Sequence, residues 1–487
     1  MIDKLKKTIK HTAIYGLGNA ATKLIGIVLL PLYTQVMTVA DYGVLGIIEI
    51  SITILAQVLM LGQPFAFLRL HDFEKTQRIK EEALFTLFAF LFCLGLGVNV
   101  LGQVLAAPVA ALLDPAQPYE QYIRISLGVV QLQVVNMLFF SVLRAKERPV
   151  SYAVLYGLKL TLMLLGNILF VAVLKLGVLG VIYAHLLGEV ITFILLLAMM
   201  RRYMAFRLNK TILFSSIALG APLITASLTN MVLNMGDRYL LKLLTDYREV
   251  GLYNLGYKVA GVLNMLLIQS FNLTFLPIAQ KMFGQPGANR YYQKMMTYFI
   301  FVMVWAGLGL SLLSTELLEG FASNPDFWQA ASVIPLIVFA FILSGAKGVA
   351  NLGLYLKGRT GVIARNMALA AALNIVLNFL LIPPLKMMGA ALATVISFAV
   401  LLAVTEASAR RCYPIQYEWA KLFRLMVWAG CCYGLATVLS PQSMTWRIVI
   451  KLMMTLVFPL TLWPLGFYEA VEKARLKQIL QRIGIRF

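Results

Sequence analysis

Long apolar stretches alternate with short polar segments along the whole chain. Each stretch reaches the length that a helix needs to cross the hydrocarbon core of a bilayer, about 20 residues. The stretches are continuous rather than alternating, which predicts helices and excludes transmembrane barrel strands. The fourteen predicted spans are 11–36, 42–69, 82–106, 119–143, 150–174, 178–200, 211–236, 250–280, 292–315, 329–356, 363–383, 388–409, 418–440 and 448–469.

Basic residues are concentrated in every second polar segment. The terminal segments and the alternate loops in phase with them hold 30 Lys and Arg residues, whereas the opposite loops hold seven. Such an excess marks the cytoplasmic side, so both termini are expected in the cytoplasm. The seven residues assigned to the outer loops are Lys175, Arg238, Lys242, Arg248, Lys386, Arg447 and Lys451.

The composition supports this interpretation. Of the 487 residues, 60% are hydrophobic and 13% are charged, whereas a soluble domain has about a quarter of its residues charged. The net charge of +21 would also suit a nucleic-acid-binding protein, but the basic residues lie in short clusters and no soluble stretch could form a basic face. None of the four cysteines stands in a C-x-x-C pair and the three histidines are scattered, so neither a disulfide framework nor a metal centre is expected.

The chain contains an internal repeat. Asp41-Tyr42-Gly43 opens the second span and Glu249-Val250-Gly251 opens the eighth, with the two glycines 208 positions apart. Asn167-Ile168 and Asn374-Ile375 repeat at nearly the same offset, 207. This predicts an N-terminal six-helix lobe over 1–208 and a C-terminal six-helix lobe over 209–412, repeated with parallel topology. Residues 413–487 add two helices and a basic cytoplasmic tail. The predicted fold class is an all-α polytopic membrane protein with about fourteen transmembrane helices.

Several charged residues fall inside the predicted spans, where each costs at least about 2.5–3.5 kcal/mol on insertion scales. Such residues usually face a bundle interior or a wet cavity. The five cations predict a cationic cavity between the two halves that receives an anion: Lys23, Lys258, Lys159, Arg124 and Lys347. Glu49, Glu189 and Glu406 are candidates for ion coupling or for charge pairing with these cations. Snorkelling to the headgroups is the alternative for cations near helix ends.

Two groups of motifs carry a family resemblance. The order Ile14-Tyr15-Gly16-Leu17-Gly18-Asn19, Lys23-Leu24-Ile25-Gly26, Leu30-Pro31-Leu32-Tyr33-Thr34 and Asp41-Tyr42-Gly43 resembles the N-terminus of the polysaccharide transporter family. Asp237-Arg238-Tyr239-Leu240, then Val250-Gly251-Leu252-Tyr253 and Tyr257-Lys258, resembles the start of its second half. These are oligosaccharide-lipid flippases of the multidrug/oligosaccharidyl-lipid/polysaccharide exporter superfamily.

The resemblance implies a transporter rather than an enzyme, in the inner membrane of a prokaryote. It would move a polyprenyl-pyrophosphate-linked glycan to the outer leaflet by alternating access, for exopolysaccharide, capsule or O-antigen assembly, with Lys23 and Lys258 meeting the pyrophosphate. The implied partners are that glycan lipid, membrane lipids, and glycosyltransferases and a polymerase of the same pathway, without nucleic acid. No cofactor is expected, and coupling to the membrane potential, H⁺ or Na⁺ stays open.

Three alternatives remain. A multidrug or cation antiporter of the same superfamily would want a net acidic cavity, whereas the predicted one is basic. A lipid II flippase would favour arginines in its cavity, where this chain has mostly lysines. A membrane glycosyltransferase or polysaccharide polymerase would need acidic or arginine-bearing outer loops, and the outer loops here are short.

Overall fold

A computed structural model describes residues 26, 28–74, 76–113, 118–439 and 443–469, and the regular secondary structure within them is helical. No β-strand forms within these residues, and the predicted all-α fold class is confirmed. Helices satisfy their backbone hydrogen bonds internally, which is what hydrocarbon requires of a spanning segment.

One compact unit comprises residues 1–258, 321–327 and 371–390. Its π-helical turn Ile168–Val173 continues α6 without a break, and α9 begins in this unit. The helices are α1 (Leu30–Val36), α2 (Val39–Met60), α3 (Gln63–Phe73), α4 (Gln77–Leu113), α5 (Tyr119–Ala145), α6 (Pro149–Asn167), α7 (Gly177–Met200), α8 (Lys210–Leu244) and α9 (Tyr247–Leu263).

The second compact unit comprises residues 259–320, 328–370 and 391–487. A π-helical turn, Asn264–Gln269, joins α9 to the next helix. The helices that lie wholly or partly in it are α10 (Ser270–Met282), α11 (Ala288–Leu312), α12 (Ser314–Phe321), α13 (Ile334–Ala350), α14 (Leu352–Leu356), α15 (Thr360–Cys412), α16 (Trp419–Val438) and α17 (Met444–Thr461). The middle of α15, residues 371–390, belongs to the first unit. The units are defined by contacts and not by the sequence repeat, so the lobe boundaries at 208 and 412 stay a prediction.

Ten helices within the described residues are long and apolar enough to cross a membrane. The longest, α15, has 53 residues and would extend about 80 Å at 1.5 Å per residue, far more than one bilayer. Its backbone leaves the helical conformation at Lys386, with φ 51°, just after Pro383-Pro384. The kink falls between the predicted spans 363–383 and 388–409, and the count of fourteen stays a prediction.

The repeat motif marks a close crossing of α2 and α9 in the first unit. A Cβ atom on Gly43 would collide with the backbone carbonyl of Tyr247, and one on Gly251 would collide with that of Val39. The contact is reciprocal, as expected for two copies of one motif. Because only glycine allows this approach, the crossing fixes where the side chains further along both helices meet.

Several residues assigned to outer loops lie in helices instead. Arg238 and Lys242 belong to α8 and Lys451 to α17, while Arg248 and Arg447 lie in the first turns of α9 and α17. The loop assignment was wrong for Arg238, Lys242, Arg248 and Arg447 because the helices extend beyond the apolar runs that defined the predicted spans. Lys451 lies inside the predicted span 448–469 and was nevertheless counted with the outer loops. Arg238 and Lys451 are buried beside acidic partners, which lowers the cost of a charge inside a helix bundle.

The last two helices pack within the second unit. The Lys451 ammonium group lies 2.6 Å from the Glu316 carboxylate of α12, and both side chains are buried. Arg447 lies 2.9 Å from Glu319, and Trp305 of α11 donates a hydrogen bond of 2.8 Å to the Thr455 carbonyl of α17. Ion pairs and an indole hydrogen bond therefore attach α17, which the repeat leaves unexplained, to α11 and α12.

Candidate functional site

A loose ion pair joins α2 and α9 beyond their glycine crossing. The Lys258 ammonium nitrogen lies 4.0 Å from the nearest Glu49 carboxylate oxygen, and the two side chains are 24% and 30% exposed. Gly26 leaves room for the lysine, because a Cβ atom there would come within 3.3 Å of its Cε atom. The pair is partly open to solvent, so another anion has access to Lys258.

Two tyrosines surround this lysine. Its ammonium group lies 6.0 Å from the ring centroid of Tyr33 and 5.4 Å from that of Tyr42, within the range of cation–π attraction. The Tyr33 hydroxyl donates a hydrogen bond of 2.8 Å to Asn167, one of the residues that marks the repeat. Lys258, Glu49, Tyr33 and Tyr42 are called the Lys258 site below. The aromatic rings orient the cation without neutralising it.

A second charged pair links α8 to α9 and was missed as a site element. Arg238 and Asp237 of α8 are fully packed, with their charged groups 2.9 Å apart. The Arg238 guanidinium stacks 4.1 Å from the ring centroid of Tyr257, and the Tyr253 hydroxyl donates to Asp237. The signal was available in the motif Asp237-Arg238, because adjacent opposite charges inside an apolar run indicate a buried pair.

Lys159 and Glu189 form a tight pair elsewhere in the first unit. Their charged atoms are 2.5 Å apart and the side chains are 13% and 5% exposed. Asn136 donates a second hydrogen bond of 2.7 Å to the same carboxylate, so the contact ties α5, α6 and α7 together. His185 of α7 lies within electrostatic range of this pair and of the Lys258 site. Glu189 is thus paired with Lys159 in this structure, and a role in ion coupling stays a prediction.

The remaining predicted cavity residues are not joined to these pairs by any ion pair in the part of the chain that the structure describes. Arg124 is 49% exposed and pairs with Glu120 of its own helix at 2.7 Å. Lys347 lies in α13 of the second unit and has no ion pair among the described residues. Glu406 pairs with Arg410 of its own helix at 3.2 Å. Lys23 lies outside the described residues, so its role stays a prediction.

Residues 8–283 match the family model described as "Polysaccharide biosynthesis protein", which is more than half of the 487 residues. The chain belongs to the polysaccharide biosynthesis protein family. This confirms the family resemblance found in the motifs. Together with the ten apolar helices, it makes the chain a multi-pass membrane protein of that family.

One curated relative and two solved structures extend the comparison. The relative, "Probable low-salt glycan biosynthesis flippase Agl15" of Haloferax volcanii, is 21% identical over 244 residues, 49% of this chain and 51% of its own length. The matched part therefore spans about half of that relative. The first structure is "Lipid II flippase MurJ, inward closed conformation", with a TM-score of 0.77, 12% identity, and coverage of 93% of this chain and 99% of that one.

The second structure is the inward-facing conformation of a multidrug resistance MATE family transporter of the MOP superfamily. It matches with a TM-score of 0.64 and 16% identity, covering 82% of this chain and 94% of that one. At such identities both likenesses show the fold alone. They assign this polysaccharide biosynthesis family member the fold of that transporter superfamily.

Proposed function

We propose that this protein is a flippase that moves a polyprenyl-(pyro)phosphate-linked oligosaccharide from the inner to the outer leaflet, for exopolysaccharide, capsule or O-antigen biosynthesis. The observation that carries the proposal is the Lys258 site, a partly exposed cation held loosely inside an apolar helix bundle. Membership of the polysaccharide biosynthesis family and the name of the flippase relative support the cargo class.

The Lys258 site suits an anion that must bind and then leave. A unit charge pair at about 4 Å is worth roughly 4 kcal/mol at an effective dielectric near 20. A pyrophosphate bridge between lipid and sugar carries two negative charges and the Glu49 carboxylate carries one, so the pyrophosphate displaces that carboxylate from Lys258 when it enters. When the cargo leaves, Glu49 neutralises the lysine again, which lowers the barrier to release.

The membrane potential supplies free energy for outward movement of the cargo. An inside-negative potential favours outward movement of an anion by about 2.3 kcal/mol per charge per 100 mV. Counter-movement of H⁺ or Na⁺ through the embedded carboxylates would add to this. Neither contribution requires ATP.

The test is transport in proteoliposomes with a fluorescent polyprenyl-pyrophosphate oligosaccharide whose leaflet is reported by a membrane-impermeant quencher. We expect Lys258→Ala to lower the rate by at least about tenfold, the effect of one lost charge-assisted hydrogen bond, and Lys258→Arg to retain most of it. Lys175→Ala, at an exposed lysine outside the site, is the matched control. Full activity in Lys258→Ala would exclude Lys258 as an essential ligand.

A deletion strain tests the cargo independently. Lipid-linked oligosaccharide should accumulate on the inner leaflet, and the wild-type gene but not Lys258→Ala should restore export. Unchanged polysaccharide export in a deletion strain without a second family member would contradict the proposed function. Export of cationic drugs without any change in glycan lipids would support the antiporter alternative instead.

A further inference from the structure

A crevice in the first compact unit lies between α2, α5 and α8 and shares no residue with the Lys258 site. Its volume is about 490 Å³, which is within the range of small-molecule binding sites. Its walls are mostly branched apolar side chains, among them Ile47, Leu55, Ile123, Leu127 and Val130. Such walls suit a hydrocarbon chain and not a sugar.

The lining is polar and aromatic at the end where α5 begins and α8 finishes. Lys242 lies there, with its ammonium group 4.0 Å from the ring centroid of Tyr247. The Ser51 and Tyr239 hydroxyls are 2.7 Å apart and link α2 to α8 across the crevice. Among the described residues no carboxylate lines it, and Lys242 forms no ion pair with any of them. The crevice therefore carries a positive charge at one end only.

The depth of the crevice follows from the helix geometry. Tyr119 is the first residue of α5 and Val130 follows eleven positions later, about 16 Å along the helix axis. That is about half of the hydrocarbon thickness. Tyrosines are typical of the membrane interface, and this end of the crevice is the predicted outer end. The crevice thus runs from the outer interface towards the middle of the membrane, with its cation at the interface.

The position of Lys242 relative to the Lys258 site indicates which lipid it serves. Tyr247, which contacts Lys242, also precedes Lys258 by eleven residues on α9, again about 16 Å. The first unit therefore offers two cations, Lys258 near the middle of the membrane and Lys242 at the outer interface. A bulk phospholipid, which stays in its own leaflet, would use only the outer cation. A phosphate-headed lipid that crosses the membrane would use both.

We infer that the crevice binds the polyisoprenyl chain of the translocated lipid on the outer side, with its phosphate group on Lys242. This inference rests on the proposed function, because the proposed function supplies the class of lipid. Lys242 provides a second binding position that draws the phosphate away from the Lys258 site. The apolar walls hold the first isoprene units while the glycan is already outside.

The test is photo-crosslinking of the full-length protein in proteoliposomes, using a polyprenyl monophosphate with a diazirine in its isoprenoid chain. We expect labelled peptides from residues 47–55 and 119–130. Lys242→Met should lower this labelling about tenfold, as expected for the loss of one charge-assisted hydrogen bond, and Lys242→Arg should retain it. Lys175→Met is the control, because that exposed lysine lies outside the crevice.

A second variant tests the crevice without changing charge. Ile123→Trp fills the apolar space and should lower labelling of the same peptides while the protein stays monodisperse. Labelling that neither Lys242→Met nor Ile123→Trp changes would overturn the assignment. Equal labelling by a diazirine phosphatidylglycerol, with full competition between the two lipids, would also overturn it. The probe carries no sugar and needs no transport, so absent flipping with intact crevice labelling would count against the proposed function alone.

Discussion

The Lys159–Glu189 pair allows a structural role and a cargo-binding role to be separated by measurement. Glu189→Gln keeps an oxygen for Asn136 but removes the charge that balances Lys159. The pair is 2.5 Å long with side chains 13% and 5% exposed, so the variant leaves a buried ammonium group without a counter-ion. Breaking a buried pair in this way lowers the free energy of unfolding by about 3–5 kcal/mol.

A double-mutant cycle gives the sign and size of the effect. Lys159→Met should destabilise the protein by a similar amount, because it leaves the Glu189 carboxylate unpaired. The double variant Lys159→Met with Glu189→Gln should recover most of the stability, since replacing both charges is often nearly neutral. Glu49→Gln is the matched control. The pair of Glu49 with Lys258 is 4.0 Å long and partly exposed. Glu49→Gln should therefore lower the free energy of unfolding by less than about 1 kcal/mol.

The assay is thermal unfolding of the purified protein in lipid, followed by tryptophan fluorescence, with flipping measured on the same preparations. We expect low melting temperatures for the two single variants and near-normal melting and flipping for the double variant. If Glu189→Gln melted like wild type, the buried-pair reasoning would be refuted. If the double variant melted normally but did not flip the cargo, the charges of this pair would be required for transport and not only for packing.

Three further predictions concern other contacts. Glu316→Gln should lower the free energy of unfolding by about 3–5 kcal/mol by leaving Lys451 unpaired, and adding Lys451→Met should restore most of the melting temperature. A Glu316→Gln variant that melts like wild type would show that this pair does not hold α17 in place. Gly43→Val should cost at least about 1–3 kcal/mol through its collision with the α9 backbone, whereas Gly97→Val, which faces open space, should express and melt like wild type. Lys294 of α11 donates a hydrogen bond to Glu469, which lowers the pKa of that carboxyl below its ordinary value of 4.5. Its contribution to stability should be complete above about pH 4.5 and fade as the pH falls further, and a Glu469→Gln variant with the same acid sensitivity as wild type would contradict this.

The sequence alone determined the helical membrane fold and the family. Both depend on regularities that the chain carries locally, such as apolar runs of span length and the motifs around Gly43 and Gly251. Hydrocarbon permits few backbone solutions, so hydropathy by itself predicts helices there. The offset between Gly43 and Gly251 also predicted that the two segments are copies of one motif. In the structure each glycine packs against the backbone of the helix that carries the other.

The sequence could list embedded charges but not their partners. Lys159 and Lys258 look alike as isolated lysines in apolar runs, yet Lys159 lies 2.5 Å from a buried carboxylate and Lys258 lies 4.0 Å from a partly exposed one. Arg238 and Lys451 were counted with the outer loops, although both are buried beside carboxylates. Whether an embedded charge is neutralised or available depends on distances between different helices, and no local pattern encodes those distances.

The crevice of Lys242 illustrates the same division. Its walls come from α2, α5 and α8, and its cation belongs to a helix end that charge counting placed in a loop. Length, composition and motif order are properties of one segment at a time, and they fixed the fold and the family. A binding site is formed by side chains from several segments, so only the tertiary packing decided which residues share it.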